Sequence, residues 1–226
     1  MSGFFNYDNP VWRFIGKFWD LILLNVLFIV CSIPVFTIGA STTAVYYVTL
    51  KLVRDEEGYT IRSFFKSFKE NFKQATIIWL VLMAAGCVLF IDFFFFVRIP
   101  SGTLTFRTIM LAVFGGMSIV WGAITLYVFP LQARFYNSVK RTLFNAFFMS
   151  IRHFLQTIGM AAIDVGVVVI SLFLVPQIGI LLILFGFPLL AFINSFFFSH
   201  IFERYMPEKE PEDTELHPLF EDEEEQ

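Results

Sequence analysis

Asp164 is the residue of this sequence best suited to chemistry, because it is an acid within the apolar stretch 159–166. An ionised side chain in hydrocarbon costs at least about 2.5 kcal/mol unless it is paired, hydrated or protonated. Such an acid can bind a proton, a cation or the hydroxyl groups of a sugar. The alternative is a structural role, in which Asp164 anchors a neighbouring helix through a hydrogen bond or lies near the membrane surface.

Three further polar residues of apolar stretches are weaker candidates for function. Asp92 stands in a run of phenylalanines six residues before Arg98, which places it near a membrane surface where water is close. Asp20 and Asn25 are five residues apart and share only roughly one face of a helix. For both of them, a hydrogen bond across helices is the more economical role.

The segment 34–44 combines helix-breaking residues with hydroxyl groups. Pro34 and Gly39 interrupt a helical hydrogen-bond ladder. The hydroxyls of Thr37 and Ser41 can then bond to the freed carbonyls or to a ligand, as unwound segments of transporters do. The same composition is typical of a turn at a helix end, with Ser41 or Thr42 capping the helix that follows. The sequence favours the turn.

Enzyme signatures are absent from the sequence. It contains no phosphate-binding loop, nucleophile elbow, zinc-protease motif or dinucleotide fingerprint. Its three histidines are scattered, and Cys31 and Cys87 show no metal-ligand spacing. We therefore expect no catalytic residue, no cofactor, no metal and no disulfide, and we expect that the protein is not an enzyme.

The composition identifies the solvent in which these residues lie. Hydrophobic residues make up 57% of the chain, which has 32 phenylalanines in 226 residues. Charged residues make up only 15%, against about 25% in soluble domains. A chain of this length cannot bury so much apolar surface in a core surrounded by water. The sequence therefore predicts an all-α, polytopic membrane protein, whose helices satisfy their backbone polar groups internally.

Five stretches are apolar enough to cross a bilayer, for which about 20 residues are needed. They are residues 20–38, 75–97, 103–129, 157–175 and 177–202. The last two are expected to form a tight helical hairpin that reverses at Pro176. An alternative for the first stretch is a hairpin over residues 20–53 that is broken at Pro34 and Gly39.

Basic residues indicate how these spans are oriented. Six of the sixteen bases lie between the first and second spans, and four lie between the third and fourth. Both connections share one side with the C-terminus in a five-span arrangement, so this side is expected to be cytoplasmic. Arg13 and Lys17 are weak evidence against this orientation, because five spans place these two basic residues outside the cell. The hairpin alternative removes this disagreement, since it returns the N-terminus to the cytoplasm.

Amphipathic helices are predicted between the spans. The first has phenylalanines on one face of residues 61–72 and a basic stripe formed by Arg62, Lys66, Lys69 and Lys73. The second covers residues 136–154 and carries Arg152, and a third surrounds Trp12 and Trp19. Such helices are typical of a membrane surface, where they contact anionic lipid or a partner protein.

The chain divides into a helical membrane domain, residues 1–206, and an acidic tail, residues 207–226. The tail holds ten acids and one base, whereas the body holds fifteen bases and nine acids. We therefore expect a basic body that faces anionic lipid and a disordered cytoplasmic tail. Residues 60–130 and 135–202 are a possible parallel repeat, because similar Phe-Phe-x-Ser segments occur in both. A chance match of two Phe-rich helices is the alternative.

Two blocks of the sequence carry a resemblance to a known family. They are Asp20-Leu21-Ile22-Leu23-Leu24-Asn25 and Pro34-Val35-Phe36-Thr37-Ile38-Gly39-Ala40-Ser41-Thr42-Thr43-Ala44. They resemble the YesL-type family of bacterial integral membrane proteins of unknown function, and weaker similarity extends over residues 3–205. The resemblance implies a plasma-membrane protein of Gram-positive bacteria whose relatives are often encoded beside carbohydrate ABC transporter components and glycan-degrading enzymes. It implies no established activity.

Two functions are therefore open at this point. The first is an accessory or subunit of carbohydrate uptake that binds a carbohydrate ABC permease, as the resemblance implies. The second is an autonomous small transporter that uses Asp164. The expected partners are the bilayer and anionic lipid at its cytoplasmic face, a homo-oligomer is an open alternative, and no nucleic acid is expected.

Overall fold

The computed structural model describes residues 10–56, 58–98, 104–170 and 178–206. Every regular element of these residues is helical, which confirms the predicted all-α class. The elements are α1 (Pro10–Ser32), a 3-10 turn (Val35–Thr37), α2 (Ile38–Val53), α3 (Thr60–Arg98), α4 (Leu104–Arg134), α5 (Val139–Arg152), α6 (Phe154–Val169) and α7 (Ile178–Glu203). The acidic tail and the predicted reversal at Pro176 lie outside the described residues.

The first predicted span, residues 20–38, is not a single helix. α1 ends at Ser32, two residues before Pro34, because a proline lacks the N–H that continues a helix and restricts the residue before it. The hydroxyl of Thr37 donates to the carbonyls of Cys31 at 2.5 Å and Pro34 at 2.6 Å. The bond to Cys31 satisfies a carbonyl group at the end of α1, the bond to Pro34 closes the turn, and α2 begins directly after Thr37.

α1 and α2 form a hairpin, because the end of α2 lies beside the first half of α1. Lys17 Nζ is 2.7 Å from Asp55 Oδ1. Just beyond, the Thr60 hydroxyl donates to Asp20 Oδ1 at 2.6 Å. The structure thus has the predicted alternative, a hairpin broken at the proline, in place of one straight span.

α2 is the central helix, and it packs chiefly on α3 and α7. Gly39, which was expected to break a helix, lies in the first turn of α2. A Cβ at this position would overlap the carbonyl oxygen of Ala75 and come within 2.6 Å of Trp79 Cβ. The glycine therefore permits a close crossing of α2 and α3. Nearer the other end of α2, Thr49 shares a 2.8 Å hydrogen bond with Ser195 of α7.

α3 and α4 form a long antiparallel hairpin of 39 and 31 residues. In the described part of the chain, these two helices are each long and apolar enough to cross a membrane. They contain the predicted spans 75–97 and, from Leu104 on, 103–129. In the most apolar 18-residue stretch of each helix, only 6% of α3 and 0% of α4 is buried against the rest of the protein. Arg107 closes the tip of the hairpin by donating to the carbonyls of Phe96 at 2.8 Å and Val97 at 2.7 Å.

The chain bends by 97° between α5 and α6, at His153. The two helices are long and apolar enough to cross a membrane only when they are taken together. α5 runs across the direction of α6. α3 differs, because its basic first half, residues 60–74, continues without a break into the apolar half. The two proposed repeat units therefore differ at this point, and the repeat itself stays a prediction, as does a total of five spans.

α7 is broken at Gly186, whose backbone angles are φ 44° and ψ −139°. Only glycine adopts such a conformation without strain. Asn25 of α1 lies directly against it, in the space that a Cβ at this position would need. Pro188 follows two residues later inside the helix. α7 and α6 cover the described parts of the predicted spans 177–202 and 157–175, and that each of them crosses a membrane stays a prediction.

A buried amide network joins α3, α4 and α5. Gln132 Nε2 donates to Asn71 Oδ1 at 3.0 Å and to Gln74 Oε1 at 2.8 Å. The Thr142 hydroxyl donates to Gln132 Oε1 at 3.2 Å. Buried polar groups need such partners, because leaving one unpaired costs about 1–3 kcal/mol. The network therefore fixes how α5 sits on the α3–α4 hairpin.

The first half of α1, the α2–α3 and α4–α5 connections and the end of α7 meet at one end of the protein, here called the basic end. Arg134 Nη2 donates to Met206 Sδ at 2.9 Å, and the Arg152 guanidinium lies 5.5 Å from the ring centre of Tyr205. Burial lowers the pKa of Arg54, and the nearby charge of Arg134 lowers that pKa further. The two basic connections therefore lie with the end of α7, as the five-span arrangement predicts, and with the start of α1, as only the hairpin alternative predicts.

Candidate functional site

A cavity of about 370 Å³ lies between α1, α2, α3, α4, α6 and α7. We call it the Asp164 cavity. Its aromatic lining consists of Phe28, Tyr46, Trp79, Trp121, Phe129 and Phe187, and its polar lining of Thr42, Thr125 and Asp164. The remaining contacts come from Ile38, Gly122 and Leu126. A concave, mostly apolar site with a few polar groups is the usual form of a small-molecule site.

Asp164 of α6 is held by Asn194 of α7. Asn194 Nδ2 donates to both carboxylate oxygens, at 3.1 Å to Oδ1 and 3.0 Å to Oδ2. Asn194 is only 1% exposed, whereas Asp164 is half-buried and lines the cavity. The amide therefore fixes the carboxylate from behind and leaves oxygen lone pairs for the cavity.

The surroundings of this pair are aromatic and contain no cation. Among the described residues, no lysine, arginine or histidine lines the cavity, and no ion pair includes Asp164. Tyr46 of α2 is buried and places its ring beside the pair. Asn194 Oδ1 is buried and receives no hydrogen bond from the described part of the chain. The only formal charge of the described lining is thus negative.

Three other polar donors of the cavity, on Trp79, Trp121 and Thr125, are already occupied. Trp79 Nε1 donates to the Val35 carbonyl at 2.8 Å, and Trp121 Nε1 donates to the Leu82 carbonyl at 2.9 Å. The Thr125 hydroxyl donates to the Trp121 carbonyl within its own helix at 2.9 Å. The two indoles therefore contribute hydrocarbon and π surface to the cavity and not their N–H groups.

An open groove between α3 and α4 adjoins the Asp164 cavity. Its volume is about 670 Å³, and it shares Trp79, Trp121 and Gly122 with the cavity. The remaining lining is almost entirely apolar, with Ser118 as the exception. The groove and the cavity are therefore neighbours that share one wall, to which Trp79 and Trp121 contribute.

The structure does not bring the other predicted polar residues, Asp20, Asn25 and Asp92, to this cavity. Asp20 accepts a hydrogen bond from Thr60 and ties α1 to the start of α3. Asn25 packs against the break in α7. Asp92 is half-buried on α3 and is not among the residues that line the cavity. Asp20 and Asn25 thus contact different helices, in keeping with the weak face relationship in the sequence.

The segment 34–44 contributes a turn and a helix start. Pro34 and Thr37 form the turn, and Gly39 permits the crossing of α2 and α3. Ser41 does not cap α2, because it lies one turn inside the helix. It is fully buried, and its hydroxyl has no hydrogen-bond partner in the described part of the protein. The contribution of this segment to the cavity comes from Ile38 and Thr42.

The predicted basic residues are all exposed to the surroundings of the protein. They are Arg62, Lys66, Lys69 and Lys73 on the first half of α3 and Arg152 at the end of α5. The phenylalanine face of α3 is only partly correct, because Phe64 is fully buried whereas Phe65 and Phe72 are 38% and 37% exposed. The buried face instead passes through Ser67 and Asn71, which belong to the amide network.

Arg152 also lines a pocket of about 410 Å³ at the basic end. Asn137, Asn145 and Tyr205 supply its other polar groups. His153 Nε2 lies 3.1 Å from the Tyr205 hydroxyl, which holds the end of α7 on the α5–α6 bend. Such a mixture of a guanidinium, amides and apolar walls suits an anionic lipid headgroup.

Sequence reasoning missed Asn194, Tyr46 and Gln132. Each carries a polar group within an apolar stretch, which is the signal that also singled out Asp164. Uncharged amides and a tyrosine are ordinary in membrane helices, so this signal is weaker for them. Spacing along the chain does not reveal the pair either, because Asn194 lies thirty residues from Asp164.

These features define an all-α protein with helices of the membrane-spanning kind and one acidic, aromatic cavity in the described part of the bundle. Residues 21–93 match the protein family described as "Protein of unknown function, DUF624". The chain is 29% identical over 157 residues to "Uncharacterized protein YesL" of Bacillus subtilis (strain 168), which covers 68% of this chain and 72% of that protein. No solved structure matches.

The two matches confirm the resemblance to the YesL-type family, whose function is unknown. The family match covers the α1–α2 hairpin from Leu21 and most of α3. It thus includes Tyr46 and Trp79 of the cavity, whereas Asp164 and Asn194 lie beyond it.

Proposed function

We propose that the protein is a multi-pass accessory protein of the bacterial cell membrane that binds a carbohydrate ABC permease and is not itself an enzyme. The supporting observation is the α3–α4 hairpin, whose apolar windows are almost entirely unburied by the rest of the chain. The apolar stretches of the hairpin are therefore free to contact another membrane protein. The YesL-type resemblance supplies the connection with carbohydrate uptake.

Small residues on α4 make its outer face suitable for close helix packing. Ala112 and Gly116 are both exposed and lie four residues apart on this helix. A Cβ on Gly116 would meet no atom of a neighbouring described residue within 4 Å. Pairs of small residues at this spacing let membrane helices approach closely, so this face is our choice for the permease contact.

The proposed orientation places the basic end in the cytoplasm. Positively charged residues near span ends are retained on that side, and the basic end carries the α2–α3 and α4–α5 connections. The α1–α2 hairpin brings the first half of α1 to the same end as the end of α7. We therefore propose that the chain enters and leaves the bundle on the cytoplasmic side.

The test is affinity purification of the tagged full-length protein from its native membrane in a mild detergent, with co-purifying proteins quantified by mass spectrometry. The expected result is a carbohydrate permease in near-stoichiometric amount. Gly116→Leu fills no internal space and is expected to lower that recovery about ten-fold, as loss of a close helix contact would. Gly159→Leu on α6 also meets no atom within 4 Å of its Cβ and is the matched control.

Recovery of the protein without any permease, as a monodisperse species, would refute the accessory function. Equal recovery with Gly116→Leu and with the control would move the contact to another surface. These two results differ, because the first concerns the partner and the second only its place of binding.

A second candidate function, an autonomous small transporter, is favoured by the Asp164 cavity itself. A carboxylate that reaches a cavity within six converging helices resembles an intramembrane ligand site. Purified protein in sealed vesicles would then move a solute, and Asp164→Asn would abolish the flux without loss of folded protein. Unchanged flux in that variant would exclude this role of Asp164.

A further inference from the structure

We infer that the Asp164 cavity binds a small organic cation of the alkylammonium class. The inference rests on the site of the second candidate function, although it concerns binding and requires no transport. It is independent of the contact proposed for α4.

The charge of the cavity is the first step. Asp164 is the only charged residue in the described lining, and its one hydrogen-bond partner, Asn194, is neutral. A carboxylate in apolar surroundings is costly when no cation compensates it. A cationic ligand would supply that compensation, whereas an anionic ligand would add repulsion.

The aromatic lining is the second step. Six aromatic residues from five helices line the cavity together with Asp164. Because the indole N–H groups of Trp79 and Trp121 donate to backbone carbonyls, these rings offer π surface to a ligand. Aromatic rings attract a cation through their quadrupole, and cages of such rings bind methylated ammonium groups. A carboxylate together with such rings is the chemistry that recognises an alkylammonium ion.

The scarcity of polar groups is the third step, and it argues against a sugar in this cavity. A monosaccharide carries several hydroxyls, each of which needs a partner when it is buried. The described lining offers only Asp164, Tyr46, Thr42 and Thr125, and the last of these already donates within its own helix. An alkylammonium ion presents methyl or methylene groups and one charge, so it matches these walls without unsatisfied donors.

The size of the cavity agrees with a small ligand. Its volume is about 370 Å³, near the lower end of the range for small-molecule sites. The groove between α3 and α4 meets it at Trp79, Trp121 and Gly122. The cavity therefore has room for a small alkylammonium ion.

The experiment titrates the purified full-length protein in detergent with choline chloride and follows tryptophan fluorescence, since two of the four tryptophans line the cavity. Sodium chloride at equal ionic strength is the salt control. A parallel titration uses 3,3-dimethylbutan-1-ol, which has the shape of choline but no charge. We expect saturable binding of choline. The neutral alcohol is expected to bind at least about ten-fold more weakly than choline.

Variants assign this binding to the carboxylate. Asp164→Asn is expected to weaken choline binding about ten-fold or more, because it removes the charge that the cation faces. Asp164→Glu keeps the charge and is expected to retain saturable binding. Asp92→Asn removes an acid of α3 that does not line the cavity, so it is the matched control with unchanged affinity.

Three results would overturn the inference: no saturable signal with choline, equal affinity for choline and the neutral alcohol, or unchanged affinity in Asp164→Asn. Saturable binding of glucose in place of choline would also overturn it and would identify a sugar site. The comparison of choline with its neutral analogue uses the unaltered protein, so it decides the question even when Asp164→Asn fails to fold. Binding without flux would reject the transporter candidate and leave the inference standing.

Discussion

Asn194 donates its amide nitrogen to both carboxylate oxygens of Asp164, at 3.0 and 3.1 Å, and thereby joins α7 to α6. The two residues lie thirty positions apart in the sequence. The amide is fully buried, whereas the acid reaches the cavity. Asn194 therefore positions Asp164. The pair joins two helices, and its carboxylate also lines the cavity.

Loss of the amide is expected to destabilise the protein. Asn194→Ala leaves the carboxylate without its hydrogen bonds, which costs about 1–3 kcal/mol, so the Tm in detergent should fall. Exchange of the two residues, Asp164→Asn with Asn194→Asp, keeps an acid–amide pair and should recover part of the loss. The Tm values of Asp164→Asn, Asn194→Asp and the exchanged pair, measured by thermal unfolding, show whether stability is recovered. If the exchanged pair is no more stable than the single variants, the pair does not hold the two helices together.

Gly186→Ala is expected to destabilise α7. The alanine side chain would meet the backbone strain of a positive φ and the Asn25 side chain at once, so the free energy of unfolding should fall by more than about 1 kcal/mol. Gly159→Ala on α6 is the matched control, because its Cβ would meet open space and alanine favours a helix by up to about 1 kcal/mol. Denaturation of both variants in the same detergent compares them, and an equally harmless Gly186→Ala would contradict the described break.

The α1–α2 hairpin predicts that residues 16 and 58 lie on the same side of the membrane. Single cysteines at Gly16 and Gly58, in a chain without Cys31 and Cys87, should react with a membrane-impermeant thiol reagent from the same side. Both positions are exposed and leave room for a side chain. Arg98→Cys at the tip of the α3–α4 hairpin should react from the opposite side. Labelling of residues 16 and 58 from opposite sides would restore the single first span.

Gln132→Leu is expected to disrupt the buried amide network. The leucine cannot bond to Asn71, Gln74 or Thr142, and each buried group left unpaired costs about 1–3 kcal/mol. The Tm in detergent should therefore fall clearly. Gln156→Leu on α6 removes an amide with no such network and is expected to change it little. Similar losses in the two variants would show that the network adds no stability.

The basic stripe of α3 is expected to bind anionic lipid in competition with the acidic tail. Replacement of Lys66, Lys69 and Lys73 by glutamine should weaken binding to phosphatidylglycerol-containing nanodiscs or micelles, because each exposed base near such a surface contributes about 1 kcal/mol. Truncation after Met206 removes ten acids and should strengthen that binding at low salt. Unchanged binding in the truncated protein would exclude competition by the tail.

The sequence predicted the elements that depend on local composition. Apolar runs of sufficient length placed α3 and α4, and Pro34 placed the end of α1, because both signals act on neighbouring residues. The choice between one span and a hairpin needed contacts between distant residues. Lys17 with Asp55 and Asp20 with Thr60 decide it, and neither pair is marked by any local pattern.

The candidate site was predictable only as far as a buried charge reveals itself. Asp164 stood out because an acid in hydrocarbon is expensive. Its partner Asn194 and the rings of Trp79 and Trp121 did not, because such residues occur throughout membrane helices. The break at Gly186 was hidden for a similar reason, since glycine is common in such helices and only the backbone angles distinguish this one.

α3 is one unbroken helix that runs from the basic end to the tip of the α3–α4 hairpin. Its 39 residues correspond to a rod of about 58 Å at 1.5 Å per residue. A close crossing, where Gly39 meets Ala75 and Trp79, lies near its midpoint. Because Trp79 stands at this crossing and also lines the Asp164 cavity, a displacement of α3 against α2 would move a wall of the ligand site.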